Sequence, residues 1–205
     1  MVYKNFLLRC LFSVIILSIY FIISYINFNL VFYLILLIYL IILLEIYLYF
    51  KKYKFIPIIY IALSLICFFN IDFKELNILD FNLLIIIIIT FDIFSYFFGK
   101  AIGKTKLINI SPKKTIEGLV GGIIASSSFA IIFSYYFEIL INIELFMYIV
   151  LVIFSSLSGD LIESFFKRKN DLKNSSNIIP GHGGVFDRFD SFLFSIIVYS
   201  IFISF

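Results

Sequence analysis

Long apolar stretches alternate with short polar ones along this chain, and the alternation predicts its structural elements. A helix needs about 20 predominantly apolar residues to cross the hydrocarbon core of a bilayer. Seven stretches approach that length, namely 10–27, 29–50, 55–71, 81–98, 119–137, 145–163 and 187–205. The pattern therefore predicts an all-α polytopic integral membrane protein with about seven transmembrane helices.

Composition supports the membrane class. Hydrophobic residues make up 63% of the 205 residues and charged residues only 14%, whereas soluble proteins average about 45–50% apolar residues. The mean hydropathy is +1.13. A soluble core of this size could not bury so much apolar surface. Membrane lipids are expected partners, and nucleic acid is not.

Basic residues are concentrated in every second connection between the predicted spans. Lysine and arginine near the ends of spans stay on the cytoplasmic side of a membrane. With the N-terminus on that side, the cytoplasmic segments carry Lys4, Arg9, Lys51, Lys52, Lys54, Lys100, Lys104, Lys106, Lys113, Lys114, Lys167, Arg168, Lys169 and Lys173. The opposite side carries Lys74 with Asp72, Glu75, Asp80, Glu138 and Glu144. We therefore predict a cytoplasmic N-terminus and two cytoplasmic basic loops, 99–118 and 164–186.

Glycine divides the chain into two regions. All nine glycines lie between Gly99 and Gly184, where the backbone is free to approach a ligand closely. Residues 1–80 are predicted to form N-terminal scaffold helices, and residues 81–205 a transmembrane region that carries the chemistry. The sequence assigns no role to Glu45, which lies in the middle of the scaffold.

The first basic loop and the span before it hold candidate binding residues. Five lysines interspersed with glycines follow the fourth span, and such a segment can surround a phosphate with N–H and ammonium groups. The same lysines could equally fix topology or contact anionic lipid. Asp92 lies inside the fourth span, where a carboxylate is a functional candidate; a hydrogen bond between helices is the alternative.

The second basic loop holds the densest polar chemistry. Asp160, Glu163, Ser164 and Lys167 are spaced to share one face of a helix, and a glycine-rich turn at 180–184 follows. The next helix opens with the residues Asp187, Arg188, Asp190 and Ser191. Two acidic faces joined by such a turn can hold a hard divalent cation. Asp187 alone could be an ordinary first-turn acid that the helix dipole stabilises. That explanation does not apply to Asp160, which is predicted at the end of its helix, where the dipole disfavours a carboxylate.

These motifs resemble the phosphatidate cytidylyltransferase family, also called CDP-diacylglycerol synthases. The family signature S-x-x-K-R-x(4)-K-D-S-G-x-x-x-P-G-H-G-G-x-x-D-R-x-D-S is met by Ser164, Lys167, Arg168, Lys173, Ser175, Pro180, Gly181, His182, Gly183, Gly184, Asp187, Arg188, Asp190 and Ser191. An upstream pattern is met by Asp92, Tyr96, Gly99, Lys100, Gly103, Lys104, Lys106, Leu107, Ser111, Pro112, Lys114, Thr115 and Gly118. The likeness covers residues 91–191. The chain departs from it at Asn174 and Ser176, where the family has aspartate and glycine.

The resemblance implies a reaction and a set of roles. A phosphatidate oxygen would attack the α-phosphorus of CTP, with Mg²⁺ as cofactor and a second ion left open. The implied catalytic residues are Asp160, Lys167, His182, Asp187, Arg188 and Asp190. The implied substrate-binding residues are Lys100, Lys104, Ser111, Lys114, Thr115, Lys167, Arg168, Gly183, Gly184 and Arg188. The implied metal ligands are Asp160, Asp187 and Asp92.

The resemblance also implies a homodimer in the bacterial inner membrane, with phosphatidate in the cytoplasmic leaflet. Two other functions stay open at this point. A CTP-dependent kinase of lipid alcohols would transfer the γ-phosphoryl group instead. A non-catalytic lipid-binding or transport protein would line a pore through the bilayer with its charges.

Overall fold

The computed structural model describes residues 15, 18–73, 77–108, 111–178 and 183–203. These ranges contain helices and one two-stranded sheet. The helices are α1 (18–26), α2 (Asn29–Tyr49), α3 (Phe55–Phe69), α4 (Ile78–Ile102), α5 (Ile116–Tyr136), α6 (Ile143–Lys169) and α7 (Phe186–Ile203), and the strands are β1 (Lys106–Ile108) and β2 (Ser111–Thr115). The predicted all-α architecture is confirmed.

In the part of the chain that the structure describes, four helices are long and apolar enough to cross a membrane: α2, α4, α5 and α6, with 21, 25, 21 and 27 residues. Their outward faces carry exposed leucines and isoleucines, as lipid contact requires. Helix α3 has 15 residues and so extends about 22 Å at 1.5 Å per residue, short of the roughly 30 Å hydrocarbon core. The first predicted span lies partly outside the described residues.

Helices α4 and α6 extend beyond their apolar stretches. Each begins at an asparagine whose side chain accepts a backbone N–H: Asn77 from Leu79 and Asn142 from Leu145, both at 3.0 Å. Such caps satisfy N–H groups that have no acceptor within the helix. Helix α6 continues past the predicted boundary at 163 to Lys169, so one continuous helix carries the acidic face out of the apolar stretch.

The first basic loop is a β-hairpin, which the sequence analysis did not predict. Strands β1 and β2 pair antiparallel, with Lys106 opposite Thr115. The Glu117 carboxylate accepts the hydroxyl of Thr105 at 2.9 Å and its N–H at 3.1 Å, which closes the base of the hairpin. Thr115 then caps α5 by accepting the N–H of Gly118 at 3.1 Å. The hairpin is therefore anchored at the start of α5.

The scaffold helices pack on α4 and α7 through aromatic rings and through buried polar contacts. Rings of Phe28, Phe68, Phe73 and Phe81 form neighbouring pairs between 5.3 and 5.9 Å apart. Within this core, the Tyr39 hydroxyl of α2 lies 2.6 Å from that of Ser64 in α3, which donates to the carbonyl of Leu193 in α7 at 2.6 Å. This chain of hydrogen bonds fixes the middle of α7 against the scaffold.

The three lysine-bearing connections lie at the same end of the bundle. Lys52, between α2 and α3, donates from its ammonium to Asp171 and from its N–H to Asn170, both at 2.8 Å. Lys114 of β2 pairs with Asp160 of α6. The grouping agrees with the alternation of sides predicted from the positions of the basic residues.

Candidate active site

A cleft of about 340 Å³ opens between α4, the hairpin, α5, α6 and α7. Its walls are both apolar and charged. The lining residues are Phe91, Asp92, Ser95, Tyr96, Leu107, Ser111, Lys114, Thr115, Leu119, Leu157, Asp160, Asp187, Arg188 and Asp190. The sequence analysis assigned a catalytic, substrate-binding or metal-binding role to eight of these, so the fold brings the two predicted segments to one place.

Asp160 lies at the centre of the cleft. One carboxylate oxygen accepts the Ser191 hydroxyl at 3.0 Å, and the other pairs with the Lys114 ammonium. The Asp190 carboxyl lies close to that of Asp160. Gly159 makes this approach of α6 and α7 possible, because a Cβ there would lie 2.3 Å from the backbone oxygen of Asp190. A cation from the hairpin and polar groups from α7 thus converge on one carboxylate.

Asp92 adds a third carboxylate to this group from α4. It accepts the hydroxyls of Ser156 at 3.4 Å and Ser191 at 3.5 Å, both long hydrogen bonds. The Ser191 hydroxyl therefore lies between Asp92 and Asp160. Three carboxyl groups and one ammonium group share this part of the cleft, so carboxyls outnumber cations there.

Asp187 belongs to a second group, next to the first. Its oxygens accept the Lys167 ammonium at 2.7 Å and the N–H groups of Gly184 at 2.8 Å and Ser175 at 3.0 Å. Lys167 also pairs with Glu163 at 2.5 Å, and the Glu163 side chain is 1% exposed. Asp187 therefore ties α7 both to α6 and to the loop before it.

The glycine-rich turn is held against Asp187. Gly183 has φ +88°, in the left-handed region that favours glycine. A Cβ at this position would lie 2.3 Å from an Asp187 oxygen and 3.2 Å from the Cβ of Asn174. Gly183 and Gly184 are both buried. In this structure, the backbone of this turn therefore lies directly against the Asp187 side chain.

Several predicted residues lie away from the cleft or outside the described chain. Lys100 and Lys104 are exposed beside the hairpin. Arg168 is exposed and donates to the carbonyl of Leu172 at 3.3 Å. His182 falls outside the described residues. Their roles in binding or catalysis stay predictions.

A charged residue next to the site was not selected from the sequence. Glu45 of α2 is fully buried and accepts the N–H groups of Val185 at 2.8 Å and Phe186 at 3.1 Å. It therefore reaches the start of α7 from the region predicted to be scaffold. The sequence feature that could have identified Glu45 is its position as a single charged residue within a long apolar stretch.

The donor set suits a hard divalent cation, which prefers oxygen ligands. As the side chains lie, no three carboxylate, histidine or cysteine groups among the described residues are gathered closely enough to hold one ion. The partners of Asp160 are side chains, Lys114 and Ser191, which can turn toward a substrate phosphate. The partners of Asp187 include two backbone N–H groups. The Asp160 group therefore fits a cation more readily than Asp187, although both line the cleft.

Residues 3–205 match the family model described as the cytidylyltransferase family. The chain belongs to this family, which confirms the resemblance seen in its motifs. It is similar to proteins named phosphatidate cytidylyltransferase: 50% identical over 103 residues in Staphylococcus haemolyticus, 48% over 106 residues in Bacillus subtilis, and 40% over 138 residues in Staphylococcus epidermidis.

These alignments cover 49%, 49% and 66% of this chain, and 39%, 38% and 52% of the relatives. The chain thus spans about half the length, or less, of the curated relatives it matches.

Proposed function

We propose that this chain transfers a cytidylyl group from CTP to phosphatidate, giving CDP-diacylglycerol and pyrophosphate. The observation that carries the proposal is the cleft in which Asp92, Asp160 and Asp190 meet Lys114. Membership of the cytidylyltransferase family and the names of the relatives support the choice of nucleotide and lipid.

The mixed lining of the cleft suits a phospholipid and a nucleotide together. Phe91, Leu119 and Leu157 supply apolar surface, while Lys114 and Arg188 supply positive charge. Charged side chains of this kind bind phosphate oxygens through short, strong hydrogen bonds. Two polyanions could therefore be held side by side, with the lipid chains continuing into the membrane.

The chemistry needs positioning and charge neutralisation more than proton transfer. A phosphate monoester has its second pKa at about 6 and is mostly dianionic at neutral pH. A phosphatidate oxygen can therefore attack the α-phosphorus without a general base. A bond forms between that oxygen and the α-phosphorus of CTP, and the bond to the β-phosphate oxygen breaks, so that pyrophosphate leaves. Lys114 and Arg188 would stabilise the charge on the transferred and departing phosphates.

Mg²⁺ completes this proposal as the cofactor, and a second ion stays a prediction. Asp160 would hold it with Asp92 and Asp190, and Asp187 would contribute from the neighbouring group. When bound, the ion would neutralise phosphate charge and stabilise the leaving group. Lys114, which pairs with Asp160 in this structure, would hold a substrate phosphate through its ammonium group.

The product decides between this reaction and its alternatives. Membranes containing the chain, supplied with labelled CTP, phosphatidate and Mg²⁺, are expected to form CDP-diacylglycerol and pyrophosphate in equal amounts. A phosphorylated lipid with CDP as co-product would instead identify a CTP-dependent lipid kinase. Binding of the lipid with no product from either assay would identify a non-catalytic protein.

The cleft should open to the cytoplasm, where CTP is present. In a chain whose cysteines are replaced by serine, single cysteines at Lys104 and Asn174 are expected to react with a membrane-impermeant thiol reagent only from the cytoplasmic side. A cysteine at Asp72 should react only from the opposite side. Labelling of the first two positions from different sides would contradict both the orientation and a site built from both loops.

The proposal extends to the bacterial inner membrane and to a homodimer. The bacterial relatives and the apolar helices support the membrane assignment. The mass of the solubilised protein, corrected for bound detergent, tests the dimer.

A further inference from the structure

Helix α2 carries one charged residue between Asn29 and Tyr49, and it is completely buried. Glu45 lies one turn before the end of this apolar helix, with 0% of its side chain exposed. A carboxylate within a membrane-spanning helix is costly and is normally paired or functional. No ion pair involves Glu45 among the residues that the structure describes. Its partners are found in the backbone of another helix.

The partners of Glu45 are the N–H groups of Val185, directly before α7, and of Phe186, the first residue of α7. Glu45 Oε2 accepts from Val185 at 2.8 Å and from Phe186 at 3.1 Å, and α7 begins at Phe186. The first N–H groups of a helix have no acceptor within the helix itself, and a negative charge is stabilised at this positive end of the helix dipole. Glu45 therefore acts as an N-terminal cap supplied by a helix 140 residues away in the chain.

Glu45 and Asp187 hold successive amides of this segment. The N–H of Gly184 donates to Asp187 at 2.8 Å, and the next two donate to Glu45. A Cβ on Gly184 would lie 1.7 Å from Glu45 Oε1 and 2.2 Å from the Ser175 hydroxyl. The absence of a side chain at Gly184 lets Glu45 approach, so the glycine turn and the buried carboxylate fit each other.

We propose that Glu45 is a positioning residue for the cytidylyl transfer, and this inference rests on the proposed function. By holding the first amides of α7, it sets the position of Asp187 and Arg188, which line the cleft. Glu45 itself is not among the residues lining the cleft. It acts on the reaction through the start of α7, so the region 1–80 contributes to the site as well as to the scaffold.

The test compares two substitutions of Glu45 with a matched control in the same helix. Glu45→Ala removes both hydrogen bonds, and Glu45→Gln keeps an acceptor oxygen that forms weaker, neutral ones. Tyr39→Phe removes an equally buried hydroxyl that links α2 to the middle of α7 through Ser64. The Glu45 variants weaken or remove direct hydrogen bonds from α2 to the start of α7, whereas Tyr39→Phe removes the bond from α2 to Ser64 of α3, which contacts the middle of α7.

Two measurements are made on each full-length variant in membranes or detergent. We expect Glu45→Ala to lower kcat by about 100-fold, since small misplacements of reacting groups have effects of this size, with a much smaller change in KM. Glu45→Gln should lose about tenfold or less, and Tyr39→Phe should stay within about threefold. Amide exchange over residues 183–190, which reports local opening, should quicken about tenfold or more in Glu45→Ala, by less in Glu45→Gln, and not in Tyr39→Phe.

The two measurements separate this inference from the proposed function. Unchanged exchange over 183–190 in Glu45→Ala, or a loss of kcat no greater than in Tyr39→Phe, would overturn the positioning role. If Glu45→Ala does not fold, the same comparison is made with Glu45→Gln: exchange over 183–190 should quicken about twofold or more, and exchange at the wild-type rate would overturn the positioning role. A wild-type chain that forms no CDP-diacylglycerol would refute the proposed function, and exchange would then decide alone whether Glu45 fixes the start of α7.

Discussion

Asp160→Asn is expected to reduce the formation of CDP-diacylglycerol by about 1,000-fold or more. Asparagine keeps the size of the side chain and can still accept the Ser191 hydroxyl, but it removes the charge that pairs with Lys114. Stabilisation by a bound metal contributes several kcal/mol to such reactions, and each 1.36 kcal/mol corresponds to about tenfold in rate. Initial rates with labelled CTP at saturating phosphatidate measure the effect.

Asp171→Asn is the control for loss of a carboxylate from the same end of the bundle. Asp171 pairs with Lys52 at 2.8 Å, with 76% of the Asp171 side chain and 63% of the Lys52 side chain exposed. The hydrogen bond from Lys52 lowers the pKa of Asp171, and Asp171 raises the pKa of Lys52 in turn. Exposed pairs of this kind stabilise little, so activity should stay within about threefold. Equal losses in the two variants would show that only the overall charge of this end matters.

Asp187→Asn is expected to lower the rate by about 100-fold, and added Mg²⁺ should restore only part of it. Two effects combine here. Loss of the charge weakens the hold on a divalent cation, so the Mg²⁺ concentration at half-maximal rate should rise about tenfold or more. Replacing one carboxylate oxygen by an NH₂ group removes part of the acceptor set for Lys167, Gly184 and Ser175 and so displaces the start of α7, which additional Mg²⁺ cannot correct. A Mg²⁺ titration of the initial rate, with a parallel thermal unfolding curve, separates the two.

Asp80→Asn is the matched control for this variant. Asp80, like Asp187, lies in the first turn of its helix, so both substitutions remove a carboxylate from the positive end of a helix dipole. Asp80 lies at the far end of the bundle and does not line the cleft. If Asp187 were an ordinary first-turn acid, the two variants would lose equal stability and keep full activity. Near-normal turnover by well-folded Asp187→Asn would therefore contradict its assignment to the site.

The sequence predicts the helices well because apolar length and helical spacing are local properties. The acidic face of α6 is an example, since Asp160, Glu163 and Lys167 are separated by whole turns of the helix that the structure contains. The boundaries are less predictable. Helix α6 continues to Lys169 because the Glu163–Lys167 pair supports a polar turn that hydropathy alone would end.

The contacts that assemble the site are less accessible to sequence reasoning. Lys114 reaches Asp160 through a hairpin whose strands have three and five residues, too short to give an alternating pattern. Glu45 meets Val185 across 140 residues, and no spacing rule connects residues so far apart. The sequence also does not show which group each carboxylate contacts. Asp187 and Asp190 share one face of α7, and yet Asp187 pairs with Lys167 whereas Asp190 lies close to Asp160.

The ion pairs also bear on how the chain is made. Among the described residues, three ion pairs join distant segments of the fold, and in each the lysine precedes its carboxylate in the sequence: Lys52 with Asp171, Lys114 with Asp160 and Lys167 with Asp187. During synthesis from the N-terminus, each of these carboxylates therefore emerges after its cation has been made. Glu163 has its partner Lys167 within its own helix, four residues later. The order of charges along the chain thus allows α6 and then α7 to enter the bilayer with neutralising partners at hand, which reduces the cost of inserting charged helices.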